Sequence, residues 1–219
     1  MIGQILLRQD LDPPRPASLA RQALPFALAW GGGAAFFTAF SLPWWKFILY
    51  APQYPHGLRL EIALTGLAGD VHEIGMLNHY IGMKHLEDAA TFERHFAGYG
   101  VAAVALLAVA ALFWHGRRSR WLSGVPGLLL PLGFLADSAF WLYRFGHELD
   151  PHAPVRIPGF TPQLFGNGQI GQFMTFAQPA AGFWIALVGA VLFAAAGLLR
   201  SYSWDSRRAS RGELAHDVR

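Results

Sequence analysis

Four long apolar stretches, almost free of charge, divide the chain: about residues 24–42, 96–114, 121–145 and 179–199. Each is close to the roughly 20 residues that a helix needs to cross a hydrocarbon core. Two segments of different texture separate them, about residues 47–95 and 146–178. In the first, Leu58, Leu60, Ile62 and Leu64 alternate with polar neighbours that include Arg59 and Glu61, which predicts a short strand. Over residues 69–87 the period lengthens. Ile74, Leu77 and Ile81 form a helical apolar stripe, Asp70 suits an N-cap, and Glu73 stands three residues on, as in a capping box. In the second segment Pro151, Pro154, Pro158 and Pro162 keep the first half extended. The stretch FTPQLFGNGQIGQFMTF, with turn-favouring Gly166, Gly168 and Gly171, reads as an interfacial or membrane-dipping segment. The pattern as a whole predicts an all-α membrane protein, a four-transmembrane-helix bundle with two structured outer loops.

Composition and charge add an orientation. Hydrophobic residues make up 53% of the 219 and charged residues only 14%, against about 25% in a typical soluble domain. Gly31, Gly32 and Gly33 inside the first span suit close helix packing, and Trp44 and Trp45 follow it as interfacial aromatics should. Arg8, Arg15 and Arg21 precede the first span, Arg117, Arg118 and Arg120 fill the turn between the second and third, and Arg200, Arg207, Arg208, Arg211 and Arg219 follow the fourth. The positive-inside rule puts these segments in the cytoplasm and both loops outside. The expected organisation is a cytoplasmic leader (1–22), a four-span domain (23–199) and a basic cytoplasmic tail (200–219) in a bacterial inner membrane. The leader is too interrupted by Asp10, Asp12, Pro13 and Pro14 to be a signal peptide. The net charge of +3 follows this topology and carries no sign of nucleic-acid binding. With no cysteine, the chain has no disulfide, thiolate metal site or C-x-x-C-H haem attachment.

The candidate chemistry lies in the outer loops. His72, Met76, His79 and Met83 are spaced four, three and four residues apart. On a helix at about 100° per residue they share an arc of roughly 60°. Imidazoles and thioethers in one row are ligands for a soft metal, above all copper(I). Seven of the nine histidines fall in the loops or at their edges: His56, His72, His79, His85, His95, His147 and His152. Every methionine beyond the first does so too: Met76, Met83 and Met174. Packing alone would scatter methionine through the spans. The row need not close a site by itself, and His85, His147, His152 or Met174 are candidates to complete it. Within the third span, Asp137 and Arg144 lie two turns apart on one face, a pair suited to helix pairing or to ion or proton passage. His115 reads as an interface residue.

Tyr54, Pro55, Gly57 and Leu58, followed by the string from Leu77 through Asn78, His79, Tyr80, Ile81, Gly82 and Met83 to Lys84, carry a resemblance. They are similar to a family of bacterial membrane proteins with a YP-x-GL segment and a stretch close to LNHYIGMK. A weaker match runs over residues 160–182. The family is associated with gene clusters for nitrous oxide reductase and its copper-maturation proteins. The resemblance implies a setting of periplasmic copper and respiratory electron flow. His79 and Met83 lie inside the recognisable string, whereas His72 and Met76 rest on spacing.

These observations favour a periplasm-facing accessory protein that binds copper(I) and supports maturation of a respiratory copper enzyme. Its partner would be a periplasmic metalloenzyme or copper chaperone, and it would act alone, as an oligomer or as a subunit of a larger complex. Two alternatives stand beside it. His95 and His147, near the same outer interface, would suit a haem b or quinol-interacting electron carrier. The His/Met row would equally serve a non-metal assembly scaffold. No nucleotide-binding loop, nucleophile elbow or HExxH motif is present, so an enzyme is not expected.

Overall fold

The computed structural model describes residues 19–113 and 117–216. Most of the expected leader, with Arg8 and Arg15, lies outside the described residues, as do His115 and Arg219. The fold is mixed α/β and not all-α. Five helices are joined by a five-stranded antiparallel sheet. The helices are α1 (Leu19–Phe40), α2 (Val71–Tyr80), α3 (Thr91–Ala110), α4 (Arg117–His147) and α5 (Ala181–His216), and the strands are β1 (Trp45–Ala51), β2 (Tyr54–Ala63), β3 (Gly66–Gly69), β4 (Gly166–Ile170) and β5 (Phe173–Pro179).

The apolar stretches all become helices. Four helical segments are long and apolar enough to cross a membrane: Gln22–Phe40, Thr91–Phe113, Trp121–His147 and Ala181–Tyr202. Pro25 in α1 and Pro126 and Pro131 in α4 are tolerated inside them. The backbone of α5 stays helical to His216, through most of the segment expected as a tail. α5 packs along both α1 and α4, and α3 makes thinner contacts with its neighbours. Small residues set the close approach. A Cβ added to Gly32 would stand 3.1 Å from the Gly189 carbonyl, and one added to Gly127 would stand 3.3 Å from Ala190 Cα. Ala29, Phe36, Ala186, Ala190, Phe193 and Ala196 form the buried seam.

The sheet is where the expectation fails. Its order is β3-β2-β1-β5-β4, so the central strand β1 pairs on one side with β2, its neighbour in sequence, and on the other with β5, more than 120 residues away. The alternation at Leu58, Leu60 and Ile62 does mark β2. The other strands were hidden by their composition. β1 is a short apolar run directly after an apolar span, and it reads as the aromatic edge of that span. The stretch expected to dip into the membrane instead supplies β4, with Gly166 and Gly168, and β5. They form a hairpin in which Ile170 pairs with Phe173 across the two-residue turn Gly171-Gln172, with Gly171 at φ +58.

Trp44 locks the sheet to the bundle. It is fully buried, and its indole N–H donates to the Ala39 carbonyl at 2.9 Å. Its own N–H donates to Ile62 O in β2, and its carbonyl accepts from Ala180 N–H at the start of α5. Its ring packs on Phe134 of α4 and Phe183 of α5. A second, smaller core of Leu49, Ala51, Leu58, Leu60 and Ile74 holds α2 against the sheet. Burying each of the large aliphatic side chains there is worth about 1.5–3 kcal/mol.

Candidate functional site

Helix α2 is fixed to the sheet at Asp70, the residue before its first turn. The Asp70 N–H donates to Arg59 O at 2.7 Å, and the Asp70 carboxylate accepts from Arg59 N–H at 2.8 Å. That carboxylate makes no capping bond to the helix, so the expected capping box with Glu73 does not form. The expected apolar stripe does form. Ile74 and Ile81 are buried and Leu77 packs against the smaller core.

The His/Met row is broken by the end of the helix. α2 stops at Tyr80, and Gly82 takes a left-handed conformation at φ +80. Gly82 N–H then donates to His79 O and Met83 N–H to Asn78 O, which folds the chain back under the helix. His72, Met76 and His79 remain on the exposed face, while Met83 turns inward to line a cavity. One row has become an outer trio and an inner thioether.

The two loops meet at this turn. Asp150 N–H donates to Gly82 O at 2.8 Å, and Val155 N–H donates to Tyr80 O at 3.0 Å. Glu148 accepts from Lys84 across the loops and from Arg144 Nε at 2.7 Å within α4. The Lys84 hydrogen bond, then that of Arg144, holds the Glu148 carboxyl below the usual carboxylate range. Asp150 is lowered too, chiefly by the backbone N–H of His152, with a smaller pull from the His79 imidazole. His152 Nδ1 lies 3.3 Å from Asp150 Oδ1, in the loop that meets the end of α2.

The remaining candidates are dispersed. His85 is exposed beyond the turn. His147 stacks on Tyr143, and its Nδ1 donates to Tyr143 O at 2.8 Å. His95 lies edge-on to Phe96, and neither His95 nor His147 lines the cavity. Met174 is exposed, because alternation along β5 places Phe173 and Ala177 toward the cavity and Met174 on the other face. Arg144 is engaged by Glu148 and lies over the Trp141 ring, so it does not pair with Asp137. Among the described residues, no three or more His, Asp or Glu side chains are grouped to hold a metal ion.

One further feature is not revealed by the pattern of residue types. A cavity of about 490 Å³ lies between the sheet, α2, α3 and α4. That is within the roughly 300–1,000 Å³ of small-molecule sites. Phe47, Leu49 and Leu60 line it from the sheet, and Ile74, Leu77 and Asn78 from α2. Part of its exposed lining lies in a crevice between α3 and α4. There Phe96 and Leu129 line the cavity yet are 46% and 60% exposed. Gly100 and Gly133 face the same gap, and a Cβ added to either would meet nothing within 4 Å.

A few polar groups interrupt the apolar lining. Asn78 is only 6% exposed, and its carboxamide has no hydrogen-bond partner among the described residues. Glu93 on α3 and Asp137 on α4 also line the cavity, and neither joins an ion pair among the described residues. The sequence did hold a signal for Asn78, since Ile74, Asn78 and Ile81 follow helical spacing with one polar member. No family model matches the chain, and no curated protein matches it.

Proposed function

We propose that this chain is an integral protein of the bacterial inner membrane that takes an amphipathic molecule from the bilayer into the cavity beneath its sheet. The arginine distribution supports cytoplasmic termini and a sheet cap on the periplasmic side. The crevice between α3 and α4 carries the reading. Its lips, Phe96 and Gly100 on one helix and Leu129 and Gly133 on the other, lie within membrane-length segments, so the cavity opens sideways toward lipid. A water-soluble ligand would have no reason to enter there. The protein, purified in nanodiscs, should retain an amphipathic ligand detectable by native mass spectrometry. Gly133→Trp, which fills the crevice, should lose it. Equal occupancy in the two proteins, or an empty wild type, would overturn the proposal.

Copper handling remains a second reading, favoured by His72, Met76 and His79 sharing the exposed face of α2. Met76 lies one turn before His79 on the exposed face. These groups form an open surface suited to exchange of copper(I) with a periplasmic partner, without Met83. Competition titration with copper(I) should show His79→Ala and Met76→Ala each weakening binding about tenfold or more. Unchanged affinity in both variants would remove copper from the account.

A further inference from the structure

The polar lining of the cavity is one-sided in charge. Among the described residues Arg94 is its only cationic lining residue, and that guanidinium is turned back onto the carbonyls of Glu87 and Ala90. Glu93 and Asp137 approach the same space from facing helices without an ion-pair partner among the described residues. A phosphate head group entering here would meet two carboxylates and one committed cation. Hydroxyl groups meet no such penalty, because they can donate to a carboxylate or accept from an amide N–H. Asn78 supplies that amide. It is buried, unpartnered among the described residues and part of the cavity wall. Around these groups the wall is aromatic and aliphatic, with Phe47, Phe96 and Phe134 among the rings and Leu49, Leu60 and Leu129 among the aliphatic side chains. Such a wall suits a flat ring and a hydrocarbon tail.

We infer that the cavity selects a neutral phenol or quinol with a hydrocarbon tail, and that Asn78 determines this specificity by hydrogen-bonding the ring hydroxyl. The inference rests on the cavity being a lipid-side binding site, as proposed above. It requires no redox step, because it concerns recognition alone.

The test uses the full chain in phosphatidylcholine nanodiscs under nitrogen. Four probes share one tail: decylhydroquinone, its dimethyl ether, decylphosphocholine and decylamine. Equilibrium binding should favour the hydroquinone over its ether by about tenfold or more. Asn78→Leu should bring the two to the same weak affinity, and Gly133→Trp should remove binding of both. A wild type that binds hydroquinone and ether alike, or prefers the phosphocholine or the amine, overturns the head-group inference and leaves the cavity reading standing. If no probe binds and Gly133→Trp behaves as wild type, the cavity reading itself fails. Should Asn78→Leu not fold, the comparison of hydroquinone with ether in the wild type decides the question.

Discussion

Glu148 is held by Lys84 from one loop and Arg144 from its own helix, and its carboxyl titrates below the usual value of 4.5. A lowered folded pKa means that the ionised form is favoured in the folded state. The clasp therefore contributes in full above the unfolded value and is lost as pH falls through the lower, folded one. Hydrogen exchange at the Val155 amide, which is bonded to Tyr80 O, should report this. Protection, corrected for intrinsic rate, should hold at about pH 6 and fall only as pH drops below the usual carboxylate range. Glu148→Gln should show the lower protection already at about pH 6. Asp70 offers a second check. Asp70→Ala removes the acceptor for Arg59 N–H and should cost about 1 kcal/mol of local stability, measured by exchange at that amide. Residue types at this scale were legible, but their partners were not. Glu73 completes a capping-box spelling, yet Asp70 bonds to Arg59, a residue brought near only by the β2–β3 hairpin.

Among the elements, α2 shows how a periodicity can be true and still mislead. The spacing from His72 to Met83 is helical, but the helix ends before the fourth member. Gly82 decides this, because φ +80 is open to glycine and strained for other residues. A Cβ there would also stand 2.8 Å from Asp150 O. Gly82→Ala should cost about 1–3 kcal/mol and part the two loops, seen as faster proteolysis within residues 148–165. The four apolar segments were legible because length and hydropathy are local properties. The strands were not, with the exception of β2. A half-buried strand announces itself by alternation, and β2 carries both Arg59 and Glu61 on outer positions where β1 has only Lys46. The cavity escaped notice for a related reason: Gly100 and Gly133 mark it by lacking side chains.

At the scale of the molecule, Trp44 joins sheet to bundle, contacting α4 and α5 while its backbone bonds β2 and the start of α5. Trp44→Ala should destabilise the fold by about 3–5 kcal/mol, read as a lowered midpoint of thermal unfolding in detergent. The proposed orientation is open to a direct check. Reporter fusions after residue 53 and after residue 171, at two hairpin turns, should both be active only on the periplasmic side. The arrangement of strands also bears on how the protein is made. Trp45 pairs with Pro179 and Tyr50 with Met174, so this ladder joins strands more than 120 residues apart in the sequence. While the ribosome is still producing α4, β1 has β2 on one side and an open edge on the other. That edge is a template for adventitious pairing until β5 emerges. The cap is thus a late product of synthesis, completed only when the last strand is delivered. A nascent chain arrested before residue 173 should be captured by chaperones or lost to degradation, whereas one released after the fourth span should mature.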